Sequence, residues 1–153
     1  MATLKEQLQL DLTASIRAKD SLTSGTLRMV LSAITNEEVS GKEARVLTDQ
    51  DLITVLNREA KKRKEAATAF DDAKRPELAT KERAELDIIQ AYLPAALSDD
   101  ELTKIIADAV AQASASGATG QSAMGAVMKL VSPQAAGRAD GSAVAAAVKS
   151  ALS

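Results

Sequence analysis

Apolar side chains recur every three or four residues along this chain, and that spacing is the feature that most restricts its fold. Leu4, Leu8, Leu12 and Ile16 follow one another at intervals of four, which places them on one buried stripe of a helix. No Asn-Gly or Asp-Gly turn lies between alternating apolar runs, so no β-hairpin is predicted. We therefore predict an all-α protein.

Capping residues and helix breakers divide this pattern into seven predicted helices. A Ser or Thr followed by an acidic residue three positions later is a typical helix start, and it occurs at Thr3 and Ser98. Thr48 and Asp140 are expected to cap two further helices. The predicted breaks are Gly25, residues 39–42, Arg75-Pro76, residues 92–94, Ser116-Gly117 and Pro133.

The composition changes near residue 104, and this change predicts two parts. Residues 1–104 hold most of the 19 Lys and Arg and of the 21 Asp and Glu, whereas the remainder is rich in Ala, Ser and Gly. Pro94 disfavours helix at Leu93, and Ser98 begins a new helix. We predict an N-terminal helical bundle domain over residues 1–94 and a three-helix tail domain over residues 95–153.

The chain lacks the side chains on which most catalysis at neutral pH depends. It has no Cys and no His, which excludes disulfides, thiolate zinc sites and a Ser-His-Asp triad. Gly41-Lys42-Glu43 lacks the upstream Gly and the Ser or Thr of a phosphate-binding loop. No catalytic residue, cofactor or metal is expected, although Asp, Glu, Lys and Tyr leave independent enzyme activity open.

The distribution of charge also bears on location. Lys5 and Glu6 follow the first residues directly, without the apolar core of a signal sequence. The longest uncharged stretch, residues 109–128, is interrupted by polar residues and Gly, so it does not predict a membrane span. We expect a cytoplasmic protein without a membrane contact.

The strongest local charge is the segment of residues 61–64, which reads Lys-Lys-Arg-Lys. Four consecutive residues point around most of a helix, so this is not a single basic face. Arg63 falls within an apolar stripe, and Glu59 precedes it by four residues. We favour an Arg63 whose aliphatic stem packs while its guanidinium reaches solvent. The alternative is a partly buried Glu59–Arg63 pair that fixes the register of the bundle.

Two features of the tail are unusual, and one of them is a candidate for ligand contact. Gly137 and Gly141 flank Arg138 and allow a close backbone approach, so the planar fork of Arg138 is a candidate phosphate ligand. Gly125 predicts the close approach of a neighbouring helix. The alternative for the loop is an exposed helix connection in which Asp140 only caps the last helix.

Five segments, in this order and spacing, carry a resemblance that covers nearly the whole chain: residues 27–34, 59–66, 92–94, 124–128 and 137–141. Together they make the chain similar to the GatB/YqeY family of stand-alone YqeY-like proteins. That family shares its tail with the B subunit of the glutamine-dependent Asp/Glu-tRNA amidotransferase. The resemblance implies a helical N-terminal domain and a small helical tail, which in the amidotransferase helps to bind tRNA.

The resemblance favours a non-catalytic tRNA-associated binding module. The candidate RNA contacts are Arg138, Lys129, Gly137, Lys61 and Lys62. Relatives often carry basic residues where this chain has Gln134, Ala135 and Ala136, which weakens any salt-dependent RNA contact. The alternatives are an accessory component of a glutamine-dependent carbon–nitrogen ligase complex and a protein–protein adaptor whose Ala-rich tail docks a partner helix.

Overall fold

A computed structural model describes residues 2–153, and within them the chain forms seven α-helices and no β-strand. The predicted all-α class is therefore confirmed. The helices are α1 (Leu4–Arg17), α2 (Ser21–Glu38), α3 (Asp49–Asp72), α4 (Pro76–Gln90), α5 (Asp99–Ala115), α6 (Gln121–Ala135) and α7 (Gly141–Ala151).

Three of the helices begin at reciprocal caps. Thr3, Thr48 and Ser98 each accept a hydrogen bond from the backbone N–H three residues later, and the acidic side chain at that position accepts from the backbone N–H of the cap. Each cap satisfies two N–H groups that a helix start leaves without an intrahelical acceptor. These contacts explain why α1, α3 and α5 begin where the sequence predicts.

Two of the predicted breaks are wrong. Gly25 lies inside α2, because the helix already begins after Asp20, whose Oδ1 accepts from the backbone N–H of Thr23 at 3.1 Å. Pro133 lies inside α6, which continues to Ala135. A proline in the last turn removes only one helical hydrogen bond, and the burial of Ala135 favours the continuation.

Two predicted packing details are also wrong. Ile16 is 48% exposed, so the stripe of α1 is buried at Leu8 and only partly at Leu4 and Leu12. A Cβ atom added at Gly125 would meet open space, so no neighbouring helix approaches closely at that position. Both predictions rested on one helix alone, whereas the length of a buried stripe depends on the helices that cover it.

One compact unit ends at Leu93 and contains α1 to α4. α1 packs against α2 and α3, α3 packs against α4, and α2 contacts both α3 and α4. Burial of a Leu or Ile side chain contributes about 1.5–3 kcal/mol, so this aliphatic core is the main source of stability. Its most buried members are Leu8, Leu27, Val30, Ile34, Leu52, Leu56 and Ile89.

The other compact unit begins at Pro94 and contains α5, α6 and α7, each of which packs against the other two. Its core combines Val and Ile with several Ala residues, which lets the three helices approach closely. The buried members are Ile106, Ala109, Ala113, Val127, Val131, Ala135, Val144 and Val148. That the predicted domains over residues 1–94 and 95–153 fold independently stays a prediction.

Tyr92 connects the end of α4 to α1. Its hydroxyl donates to Oδ2 of Asp11 at 2.5 Å, and Asp11 also accepts from the side chain of Gln7 at 2.8 Å. Burial of the phenol, followed by the hydrogen bond and the negative charge of Asp11, raises the pKa of Tyr92 well above its ordinary value of 10.0. The hydroxyl therefore remains protonated at neutral pH in the folded unit.

The Tyr92–Asp11 contact should make stability depend on alkaline pH. Because the folded pKa of Tyr92 is the higher one, the stabilisation is complete below the unfolded pKa and is lost as the pH rises through the folded value. We expect no tyrosinate absorbance about one pH unit above the ordinary value in native protein, and full titration in denaturant. Tyr92 is the only tyrosine, so the signal is unambiguous.

The matched variant is Tyr92→Phe, which should lower the free energy of unfolding at neutral pH by about 1–2 kcal/mol. It should also remove the alkaline loss of stability. Native protein that titrates near the ordinary tyrosine pKa would contradict this account of the contact.

Candidate functional site

Three charged side chains are buried together in the first unit, and we call them the ion cluster: Glu59, Arg63 and Glu85. They are 8%, 3% and 7% exposed. Nη1 of Arg63 donates to Oε2 of Glu59 at 2.7 Å and to the Glu59 carbonyl oxygen at 3.1 Å. Nε of Arg63 lies 3.5 Å from Oε2 of Glu85. The favoured expectation that the Arg63 guanidinium reaches solvent is wrong, and the alternative of a buried Glu59–Arg63 pair is what the structure shows.

The positions of the three residues follow from the α3–α4 hairpin. Glu59 and Arg63 lie four apart on α3 and therefore share one face. Lys74, with φ 60° in the left-handed region, helps to reverse the chain between the helices, and Pro76 begins α4. This reversal brings Glu85 of α4 level with Arg63. The sequence reading missed Glu85, although its spacing of four from the buried Ile89 is a signal that could have found it.

The charges of the ion cluster are balanced by a fourth residue. Nζ of Lys62 lies 3.0 Å from Oε1 of Glu59, and its side chain is 70% exposed. Burial favours the neutral form of Glu59, but the hydrogen bonds from Arg63 and Lys62 outweigh it and hold the pKa of Glu59 below its ordinary value. Glu59 is therefore ionised at neutral pH, and the stability that it contributes is lost as the pH falls through its folded pKa.

Part of the hydrogen-bonding capacity of Arg63 remains unused. Within the described residues, its Nε has no hydrogen-bond partner, since the contact with Glu85 is an ion pair at 3.5 Å. Its Nη2 donates to Sδ of Met29 at 3.8 Å, and a thioether sulfur is a weak acceptor. A buried guanidinium with incomplete partners is costly, so this position favours any stronger acceptor.

A cleft of about 260 Å³ lies beside the ion cluster, between α2 and α3. Glu59 and Lys62 line it together with Arg58, whose Nη1 donates to Oε2 of Glu37 at 3.0 Å. The cleft is therefore lined by both cations and carboxylates, so the surface around Lys62 is of mixed charge and not basic. Among residues 2–153, no group of three or more acidic side chains is placed to hold a metal ion.

The other predicted site residues are exposed or half-buried. Lys61 is exposed on α3, next to Lys62. Lys129 is exposed on α6, and Gly137 and Arg138 are half-buried in the connection between α6 and α7. Lys61 and Lys62 thus belong to the first unit, and the remaining three belong to the second.

Arg138 makes internal contacts in the second unit. Its Nε donates to the carbonyl oxygen of Ala95 at 3.0 Å, and its own carbonyl oxygen accepts from Leu97 at 2.8 Å. Its Nη2 lies 3.8 Å from Oε2 of Glu101. Gly137, with φ 74°, ends α6 and turns the chain so that these contacts can form. Arg138 therefore connects residues 95–97 to the helices that follow, so it contributes to the fold of this unit.

The acidic neighbour of Arg138 has a local role. Asp140 is the N-cap residue of α7, and its Oδ2 accepts from the hydroxyl of Ser142 at 2.8 Å. Asp140 therefore occupies the N-cap position of α7, but its side chain makes no capping hydrogen bond to the helix backbone. The carboxylate lies at the positive end of the α7 dipole, where it is stabilising.

Truncation of Arg63 should destabilise the first unit strongly. Arg63→Ala leaves two buried carboxylates without their cation, and we expect a loss of about 3–5 kcal/mol in the free energy of unfolding. The matched control is Lys62→Ala, which removes an exposed partner of Glu59 and should cost less than about 1 kcal/mol. Urea unfolding followed by circular dichroism measures both, and equal losses would contradict the assignment of Arg63 as the buried cation.

Truncation of Arg138 should loosen the start of the second unit. Arg138→Ala removes the hydrogen bond to Ala95 and should cost about 1–2 kcal/mol. The amide of Leu97 should then exchange its hydrogen faster. Arg138→Lys should recover little, since an ammonium does not reproduce the guanidinium geometry. Lys149→Ala on the exposed side of α7 is the control, and unchanged exchange at Leu97 would overturn this role.

The fold and the site define an all-helical protein with a charged cluster buried in one compact unit and three small helices in the other. The family model described as "Yqey-like protein" matches residues 5–152. The chain therefore belongs to the YqeY-like protein family, which confirms the family inferred from the sequence.

Several curated relatives that match are fungal proteins named "Altered inheritance of mitochondria protein 41, mitochondrial". The Clavispora lusitaniae protein is 36% identical over 102 residues, which are 65% of this chain and 58% of the relative. The Candida glabrata protein is 29% identical over 100 residues, 63% of this chain and 55% of the relative. A Saccharomyces cerevisiae protein is 35% identical over 85 residues, 54% of this chain and 44% of the relative. The chain thus spans about half the length of these relatives.

These names correct one prediction. The expected cytoplasmic location is wrong by this comparison, because the relatives are named as mitochondrial proteins. Among residues 2–153, no helix combines the length and the apolar character that crossing a membrane requires. Neither the family description nor the names of these relatives mention tRNA or an amidotransferase.

Proposed function

We propose that this YqeY-like chain is a non-catalytic binding module that associates with tRNA through the cations of its second unit. The observation that carries the proposal is the charge pattern of α6 and α7. From residue 121 to the end, the charged side chains are Lys129, Arg138, Asp140 and Lys149. Lys129 and Lys149 are exposed, and neither helix carries an acid beyond the cap at Asp140. Cations of this kind bind phosphates by releasing condensed counterions.

Arg138 fits this role in spite of its internal contacts. Nε is occupied by the carbonyl oxygen of Ala95, but the side chain is 38% exposed. The terminal Nη groups can therefore meet a phosphate while the Nε contact holds the guanidinium in place. Gly137 adds a backbone without a side chain next to it. Lys61 and Lys62 contribute less in this proposal, since Lys62 already neutralises Glu59.

The buried carboxylates support a role without catalysis. Glu59 is held ionised by Arg63 and Lys62, so it is not a proton donor at neutral pH. Both Glu59 and Glu85 are less than a tenth exposed, and both are paired with Arg63. The chain also has no Cys or His to act as a nucleophile or a general base.

A protein–protein adaptor is the second candidate function, and one observation favours it. The exposed large hydrophobic side chains all belong to the first 46 residues of the described chain: Leu10, Ile16, Leu22, Met29, Val39 and Val46. Where such side chains form one contiguous patch, they mark a contact with another protein. An accessory role in a carbon–nitrogen ligase complex would use such a contact, in this case on the first unit and not on the Ala-rich tail.

Binding to a tRNA transcript over a series of salt concentrations tests the first candidate. Affinity should fall steeply with salt, and Lys129→Gln should both weaken binding and make the slope shallower by about one ion. The matched control is Lys104→Gln on α5, because Asp100 and Asp108 lie four residues to either side and offset its charge. Fluorescence anisotropy at low and moderate salt measures each variant.

Equal effects of Lys129→Gln and Lys104→Gln would show that α6 is not the contact. No binding of tRNA at low salt, together with salt-insensitive co-purification of a protein, would establish the adaptor in place of the RNA module.

A further inference from the structure

The contact between Met29 and the ion cluster is a feature that the proposed function does not use. Met29 on α2 is 50% exposed, whereas Arg63, whose Nη2 donates to its sulfur at 3.8 Å, is 3% exposed. The sulfur therefore links solvent to a buried cation. Within residues 2–153, Nε of the same guanidinium has no hydrogen-bond partner. Arg63 thus meets its weakest acceptor at a side chain that is half exposed.

We propose that Met29 is an oxidation site whose methionine sulfoxide is bound by Arg63. The oxidant is hydrogen peroxide, a two-electron oxidant. A sulfur lone pair forms the S–O bond with one peroxide oxygen, the O–O bond breaks, and the second oxygen leaves as water. The sulfur is oxidised by two electrons and the peroxide is reduced by two. The product side chain carries a strongly polar oxygen in place of a weak acceptor.

The distance between the sulfur and the guanidinium is compatible with a bridging oxygen. A charge-assisted N–H···O bond is about 2.7–2.9 Å long, and an oxygen attached to Sδ with a bent approach to Nη2 spans the present 3.8 Å separation. The oxygen would accept from a donor that the thioether satisfies only weakly.

The stability effect of oxidation at Met29 should therefore be opposite to the usual one. A sulfoxide normally disrupts an apolar core, because it replaces a flexible apolar side chain with a polar one. Met124 and Met128 both pack against the hydrophobic core of the second unit, so their oxidation should be destabilising in the usual way. At Met29 the new polar group meets solvent on one side and a buried cation on the other.

Limited peroxide treatment of the full chain, followed by peptide mass spectrometry, gives the order of oxidation. Met29 should be oxidised before Met124 and Met128. Thermal unfolding is then followed by the fluorescence of Tyr92, which reports the first unit because it is the only tyrosine and the chain has no Trp. The midpoint of that transition should rise by about 4–8 °C when Met29 alone is oxidised, the shift typical of one added favourable contact in a unit of this size.

Two variants separate the new bond from the loss of sulfur. Met29→Leu keeps the apolar volume without an oxidisable atom, so peroxide should leave its Tyr92 transition unchanged. Met29→Gln places an amide oxygen near Nη2 without any oxidant, and it should unfold at a higher temperature than Met29→Leu. Arg63→Lys should abolish the rise after oxidation, and if that variant fails to fold, the comparison of Met29→Gln with Met29→Leu still tests the bond.

A midpoint that falls after oxidation of Met29, or a Met29→Gln variant less stable than Met29→Leu, would overturn the proposal. Oxidation of Met124 or Met128 before Met29 would overturn it as well. These results do not decide the tRNA proposal, because its main cations, Lys129 and Arg138, lie in the second unit.

Discussion

The first unit depends on the burial of one guanidinium against two carboxylates. Desolvation of these charges costs several kcal/mol per ion, and only close contacts offset it. The pairing of Arg63 with Glu59 at 2.7 Å is local to α3, but the contact with Glu85 forms only when α4 lies in one register. An apolar hairpin interface could slide by one helical turn at modest cost, whereas a slide here would leave buried charges unpaired. We infer that the ion cluster selects the register more than it adds stability.

The helices could be predicted from the sequence, and their partners could not. Thr3, Thr48 and Ser98 define their helix starts through contacts within four residues, so a single segment contains the necessary information. The predicted breaks at Gly25 and Pro133 were wrong because other contacts favour the helix there. The Asp20 cap begins α2 before Gly25, and the burial of Ala135 extends α6 beyond Pro133. The burial of the Arg63 guanidinium was harder to predict than these helix boundaries. Its position in an apolar stripe was visible, but its burial depends on Glu85, which is 22 residues away in sequence and adjacent only in the folded hairpin.

In the tail, too, the sequence indicated an unusual residue but not the group that it contacts. The Gly137-Arg138 pair was recognisable as unusual, and the turn at Gly137 follows from its positive φ. The partner of Arg138 was not recognisable, because it is a backbone carbonyl at Ala95, and every residue carries such a group. Side-chain chemistry alone therefore predicted an Arg138 side chain that is free to bind phosphate. In the structure, the same guanidinium donates a hydrogen bond within the second unit.

The structural role of Arg138 is compatible with the RNA contact that we propose for it. A guanidinium held by Nε has lost most of its conformational freedom before a phosphate arrives, so less entropy remains to be lost when the terminal Nη groups bind. The weak contact with Glu101, at 3.8 Å and on an exposed side chain, is easily replaced by a phosphate oxygen. In a chain with a net charge of −2, affinity for RNA cannot come from the overall field. In the proposed role, this affinity comes from a few cations that the fold holds in position. Arg138 loses little conformational entropy on binding, because its Nε is already bound.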